Sequence, residues 1–203
     1  MSARDEVLGR IRSALADRPA PAAVARSYRG AASRPADLDL FVDRLRDYRA
    51  VVREVAAATV AGTLLDVLAE HGAANIVAPA ALPAQWVPGA DRGTQDTAAL
   101  ERADAVVTAC AVAIAETATI VLDHDAPDQG PRALTLVPDL HVVVVRADQV
   151  VAAVADAVAL LAGVRTQTWI SGPSATSDIE LERVEGVHGP RRLEVVLVRN
   201  SLP

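Results

Sequence analysis

The segment HVVVV, residues 141–145, constrains the fold most. Four consecutive β-branched residues favour an extended backbone. They give the strand no polar face, so it must be covered on both sides. Similar short apolar runs recur at residues 51–55, 75–78, 105–108, 119–122, 167–170 and 193–198. Helical stretches lie between them. Residues 59–71 end at Gly72, a usual C-terminal signal, and residues 148–161 place Val150, Val151, Val154, Val158 and Leu161 on one stripe. Continuous apolar strands alternating with helices predict an α/β fold, with a largely parallel sheet flanked by helices.

The first part of the chain reads differently. Residues 2–15 form a predicted helix with Val7, Leu8, Ile11 and Leu15 at helical spacing, opened by a Ser2/Asp5 capping box. Pro19, Pro21, Gly30 and Pro35 then mark a linker. A second amphipathic helix follows at residues 37–50, with Leu38, Phe41, Leu45 and Tyr48 on one side. The expected organisation is an N-terminal helical arm with a Pro-containing linker, residues 1–36, and one α/β domain, residues 37–203.

Composition excludes several chemistries. All 20 basic residues are arginine, so a Schiff-base lysine and a Walker-type phosphate lysine are ruled out. A net charge of −6 argues against a nucleic-acid partner. Cys110 is the sole cysteine, so no internal disulfide forms and this chain cannot hold a cysteine-ligated iron–sulfur cluster. Cys110 itself reads as a small buried hydrophobe. The histidines lack metal-type spacing, and no metal site is expected. The N-terminus carries charge throughout, so no signal peptide is expected. The longest apolar stretch, residues 150–164, contains Asp156 and is too short to span a bilayer. A cytoplasmic location fits these features.

Two places concentrate chemistry. The first is SGPSATSDIELERVEGVHGP, residues 171–190. Ser171, Ser174, Thr176 and Ser177 offer hydroxyls to an anion, and a helix starting near Asp178 would add free N–H groups. Equally, Ser177 or Asp178 could simply cap a helix at residues 179–184. Gly172-x-Ser174 lacks the second glycine of a nucleophile elbow, which weakens a Ser174/His188/Asp178 triad. His188, between Gly186 and Gly189, is either a general acid/base or a loop histidine bonded to backbone. The loop follows a strand, where α/β sheets place ligands. The second place is Glu116, within CAVAIAETATIVL. A carboxylate between two buried strands holds its proton to higher pH unless it is paired, which suits a nucleophile or general acid. The alternative is a turn glutamate facing solvent.

TACAVAIAETATIVL, RALTLVPDLHVVVV and SGPSATSDIELERVEGVHGP together resemble the lactate-utilisation protein C family, the LUD domain, over most of the chain. The resemblance implies a fold like those of ribose-5-phosphate isomerase and the CoA transferases. It also implies a role as accessory subunit in oxidising L-lactate to pyruvate. The iron–sulfur clusters would lie in partner proteins, with no cofactor on this chain. The motif positions carried over are Glu116 and residues 171–190. Glu116 and His188 are thus the catalytic candidates; Ser171, Gly172, Ser174, Thr176, Ser177 and Asp178 are the candidate contacts for a small carboxylate. Where the family usually has glycine, this chain has Ala109 and Ala118, which take a positive φ only at a cost. Two other readings remain open. One is a stand-alone isomerase/CoA-transferase-like enzyme using Glu116 on a small anionic substrate. The other is a non-catalytic scaffold.

Overall fold

A computed structural model describes residues 2–17, 23–25, 30–31, 34–93, 96–177, 183–185 and 188–199, with backbone only for 175–177 and 183–185. The helices are α1 (Ala3–Ala14), α2 (Leu38–Asp47), α3 (Val60–Glu70), α4 (Thr97–Leu100) and α5 (Val154–Leu160). The strands are β1 (Val51–Ala56), β2 (Ile76–Val77), β3 (Ala105–Thr108), β4 (Val112–Ile114), β5 (Thr119–Asp123), β6 (Leu140–Arg146), β7 (Val150–Val151), β8 (Gln167–Ile170), β9 (Ala175–Ser177), β10 (Arg183–Glu185) and β11 (Arg192–Arg199).

The central sheet runs β1-β11-β6-β3-β2, and every pairing in it is parallel. The HVVVV strand lies in the middle and is covered on both faces, as its sequence requires. Leu140, Val142 and Val144 pack against Val60, Leu64 and Val67 of α3. Val143 and Val145 point the other way, against Phe41 and Leu45 of α2 and Ile120 and Leu122 of β5. That second cover is partly another sheet, of order β7-β4-β5-β8, in which β5 pairs antiparallel with β4 and β8. Ala157 and Leu161, in and just after α5, close its outer face against Val112, Ile114 and Val121.

Two predicted helices are corrected. The helix expected at 148–161 starts only at Val154, because Val150 and Val151 pair in parallel with Ala113 and Ile114. Two β-branched residues beside an open strand edge gain more from pairing than from a helical turn. Of the helix expected at 179–184, residues 183–184 lie instead in β10, which pairs antiparallel with β9 and sets Val184 opposite Thr176; residues 179–182 lie outside the described residues. Thr176 and Ser177 therefore sit on a strand rather than at a helix start. Asp178 lies outside the described residues.

Ala118 does adopt the left-handed conformation, at φ 48° and ψ 36°, in the turn between β4 and β5. The strain costs about 1–2 kcal/mol. Its methyl is fully buried in the cluster with Phe41 and Ile120, which offsets much of that cost. Ala118→Gly relieves the strain but loses a buried methyl and loosens the unfolded chain, roughly 1 kcal/mol each. The net change in urea unfolding is expected to stay within about 1 kcal/mol.

The capping box of α1 forms, with the Ser2 side chain accepting from the Asp5 N–H, but the helix buries none of its residues. No helix among the described residues is long and apolar enough to cross a membrane.

Candidate functional site

Residues 171–174 and 188–190 close on each other through Ser174. Its N–H donates to the Pro190 carbonyl at 2.8 Å, and its Oγ accepts the His188 N–H at 3.1 Å. Beneath this closure is a cavity of about 50 Å³, bordered by Arg132, Thr135, His141, Thr168 and Ser174 and walled by Ile170, Leu193 and Pro190. His141 and Leu193 are each the second residue of their strand. The cavity thus sits at the amino ends of the central strands, not at the carboxyl ends where the general rule for such sheets looks. The strand preceding the loop, β8, belongs to the second sheet, which explains the difference.

His141 is 1% exposed. It shares the inward face of β6 with Val143 and Val145. Its Nε2 meets Thr108 Oγ1 at 2.8 Å, and its Nδ1 has no hydrogen-bond partner among the described residues. Burial, and then the positive charge of Arg132, push the imidazole down to about 3, so it is neutral at physiological pH. Arg132 donates to Thr135 Oγ1 at 3.3 Å and to the His188 carbonyl at 3.1 Å. No carboxylate pairs with it among the described residues, and burial pulls its guanidinium below the usual value.

Thr168 forms the wall toward His124. His124 Nδ1 faces the Gly130 carbonyl at 2.8 Å, which can only accept, so Nδ1 carries the proton of the neutral ring. Nε2, 2.6 Å from Thr168 Oγ1, then accepts the threonine hydroxyl. Beyond His124 lies a larger hollow of about 210 Å³ that includes Arg92. Arg92 is held by the carbonyls of Pro79 and Leu82 at 3.0 and 2.7 Å.

Of the sequence candidates, Gly172 and Ser174 border the cavity. His188 is exposed and contributes its backbone, donating to Ser174 and accepting from Arg132. Ser171 Oγ joins a hydroxyl chain instead, 2.8 Å from Thr119 Oγ1, which is 2.7 Å from Thr117 Oγ1. The side chains of Thr176 and Ser177, and all of Asp178, lie outside the described residues. Glu116 lacks the expected burial. It sits in a 3-10 turn, Ala115–Thr117, with its side chain 43% exposed and ion-paired to Arg34. Arg44 donates to its backbone carbonyl. The glutamate thus fastens the end of the N-terminal linker and the helix α2 to the second sheet. An exposed pair of this kind is worth under about 1 kcal/mol. Arg34→Ala is accordingly expected to shift thermal unfolding by no more than a few degrees.

Arg132, Thr135, His141 and Thr168 were not candidates from sequence. One signal was available: His141 is a polar residue on the inward face of a strand that is otherwise valine. Cys110 is buried as expected, with Sγ 3.6 Å from Gln149 Oε1, and burial pushes its thiol up to about 12. Native protein at pH 8 is expected to resist thiol reagents and to label fully once unfolded, a contrast readable by mass spectrometry.

The sequence model described as LUD domain matches residues 70–198. A protein named Lactate utilization protein C from Deinococcus radiodurans is 51% identical over 175 residues, 82% of this chain and 81% of that protein. One of the same name from Bacillus subtilis is 31% identical over 121 residues, 56% of this chain and 50% of that protein. A crystal structure described as a DUF162 family protein from Deinococcus radiodurans has a TM-score of 0.67 and 44% identity, covering 79% of this chain and 95% of that one.

Proposed function

The chain belongs to the LUD-domain family, and from that premise we propose that it serves lactate utilisation as the non-redox subunit of an assembly oxidising L-lactate to pyruvate. The assembly is cytoplasmic, and its iron–sulfur clusters sit on partner proteins. The likeness to the Deinococcus protein named for lactate utilisation carries the reading, because it runs over four-fifths of both chains. Donor chemistry supports it. A single buried thiol held against Gln149 does not fit cluster ligation, which needs several accessible thiolates. On this reading the chain binds and orients, while electrons move elsewhere.

The stand-alone enzyme reading has weaker support. Glu116 is half-exposed, tied to Arg34, and borders neither cavity described above. A cavity of about 50 Å³ is also far too small for a sugar phosphate or a CoA thioester.

The test is purification from lactate-grown cells, with iron and labile sulfide measured in whatever co-elutes, followed by reconstitution. Lactate oxidation is expected from the full set, none from this chain alone, and a loss when this chain is omitted. Turnover by the isolated chain, abolished in Glu116→Gln, would reverse the conclusion in favour of the stand-alone enzyme.

A further inference from the structure

We infer that the cavity beneath residues 171–174 binds a short monocarboxylate, gripped by Arg132 and Ser174, with His141 facing the substituent next to the carboxylate. The inference deepens the lactate-utilisation reading and rests on it for the choice of acid; the site itself is argued from geometry.

Arg132 supplies the charge. A partly buried cation without a counter-ion is costly, and an anion entering the cavity relieves that cost. Two of its donors hold Thr135 and the His188 carbonyl, and the rest of the guanidinium fork has no partner among the described residues, leaving it open to a carboxylate. Ser174 Oγ already accepts the His188 N–H, so its own proton is available to the same anion.

The other groups define the ligand. One cation and one neutral histidine balance a single negative charge. A phosphate dianion would meet too little positive charge and an apolar wall of Ile170, Leu193 and Pro190. That wall suits a methyl or methylene end. The cavity of about 50 Å³ holds roughly three to five waters by the measure in which one water needs about 10–15 Å³. That is about the size of a three-carbon acid.

His141 adds selectivity. His141 borders the cavity, and its Nδ1 has no hydrogen-bond partner among the described residues. Such a nitrogen is available to a polar ligand atom. An α-hydroxyl would donate to a bare Nδ1; an α-keto oxygen would accept from a protonated one. An acid with neither leaves the nitrogen unsatisfied.

The test is calorimetric titration of the full chain with L-lactate, pyruvate, propionate and inorganic phosphate. One site saturating with lactate or pyruvate is expected, with propionate weaker. Arg132→Gln should weaken binding at least tenfold, and Arg165→Gln, at a side chain 85% exposed and outside the cavity, should not. Because Arg132 also braces the His188 carbonyl, the ring-nitrogen resonances of His141 in the wild type give a second reading and should move on saturation. No saturable binding, phosphate preferred over the acids, or unmoved His141 resonances would overturn the site. The two readings fail separately. Binding without any need for this chain in lactate oxidation sinks the role alone; a need without binding sinks the site alone.

Discussion

Gly172→Ala is expected to lower the melting temperature by about 10 °C, the larger of two contrasting glycine effects. Gly172 has a φ of +87°, and a β-carbon there would lie 2.7 Å from the Tyr48 carbonyl oxygen and 2.9 Å from Tyr48 Cβ. Left-handed strain costs an alanine about 1–2 kcal/mol. Overpacking adds roughly 1–3 kcal/mol, and here the obstacle is backbone at the end of α2, which cannot swing aside as a side chain does. A total near 3–4 kcal/mol, at roughly 2–4 °C per kcal/mol for a chain of this size, gives the expected shift. Gly163 isolates the strain term: its φ is +92°, and nothing lies within 4 Å of an added β-carbon. Gly163→Ala should therefore melt only a few degrees early. If Gly172→Ala melts within about 2 °C of Gly163→Ala, the close approach to Tyr48 is not a constraint. A destabilised Gly172 variant should also bind carboxylates poorly, since Gly172 leads directly to Ser174 over the cavity.

Gly172 also shows what a sequence can and cannot disclose. The parallel sheet was legible because HVVVV and LEVVLV admit one environment, between two apolar layers. Thr176, Ser177 and residues 183–184 lie on strands β9 and β10 where a helix start and a helix were expected, since hydroxyls followed by acids look like a cap whichever structure they enter. Val150 and Val151 were misread for a related reason. A helical stripe and a paired strand share those valines, and the partner at Ala113–Ile114 lies far away in sequence.

The site was half legible. Residues 171–190 stood out because polar residues are scarce in this chain, and Gly172 and Ser174 do border the cavity. Glu116 stood out for the same reason, yet its apolar surroundings in sequence did not mean burial. A 3-10 turn lifts it out of the sheet toward Arg34. Arg132 did not stand out, because it is ordinary in its own segment, and His141 gave no more than its polarity on a strand face otherwise made of valine. They become unusual only when folding leaves Arg132 without a carboxylate partner among the described residues and buries His141 beneath the loop. Lone groups of this kind are defined by their three-dimensional neighbours rather than by spacing.

Acid destabilisation should carry the signature of His141. Its imidazole is pushed from 6.5 down to about 3 in the folded chain, while the unfolded chain titrates near the ordinary value. Between these values the unfolded state binds one proton more than the native state, so stability rises with pH there. The contribution is intact above about pH 6.5 and is lost as pH falls toward 3, with a slope of about 1.4 kcal/mol per pH unit. Asp104 and Asp139 also stabilise the fold in ionised form, Asp104 through the N–H groups of Asn75 and Ala74 and Asp139 through Arg191. Their carboxyls sit below the usual carboxylate value of 3.8, so they act at lower pH and leave the window from about 4.5 to 6.5 to histidine. His141→Gln keeps an amide within reach of Thr108 but cannot take up the proton. Its unfolding free energy should therefore fall less across that window than the wild type's, by about 2–3 kcal/mol in total. Parallel slopes in the two proteins would show that His141 protonates freely in the native state. Arg132 supplies the second cause of the shift, so Arg132→Gln should recover a smaller part of the difference. An anion bound at Arg132 should act in the same direction, making the acid limb of the stability curve a readout of the occupied cavity.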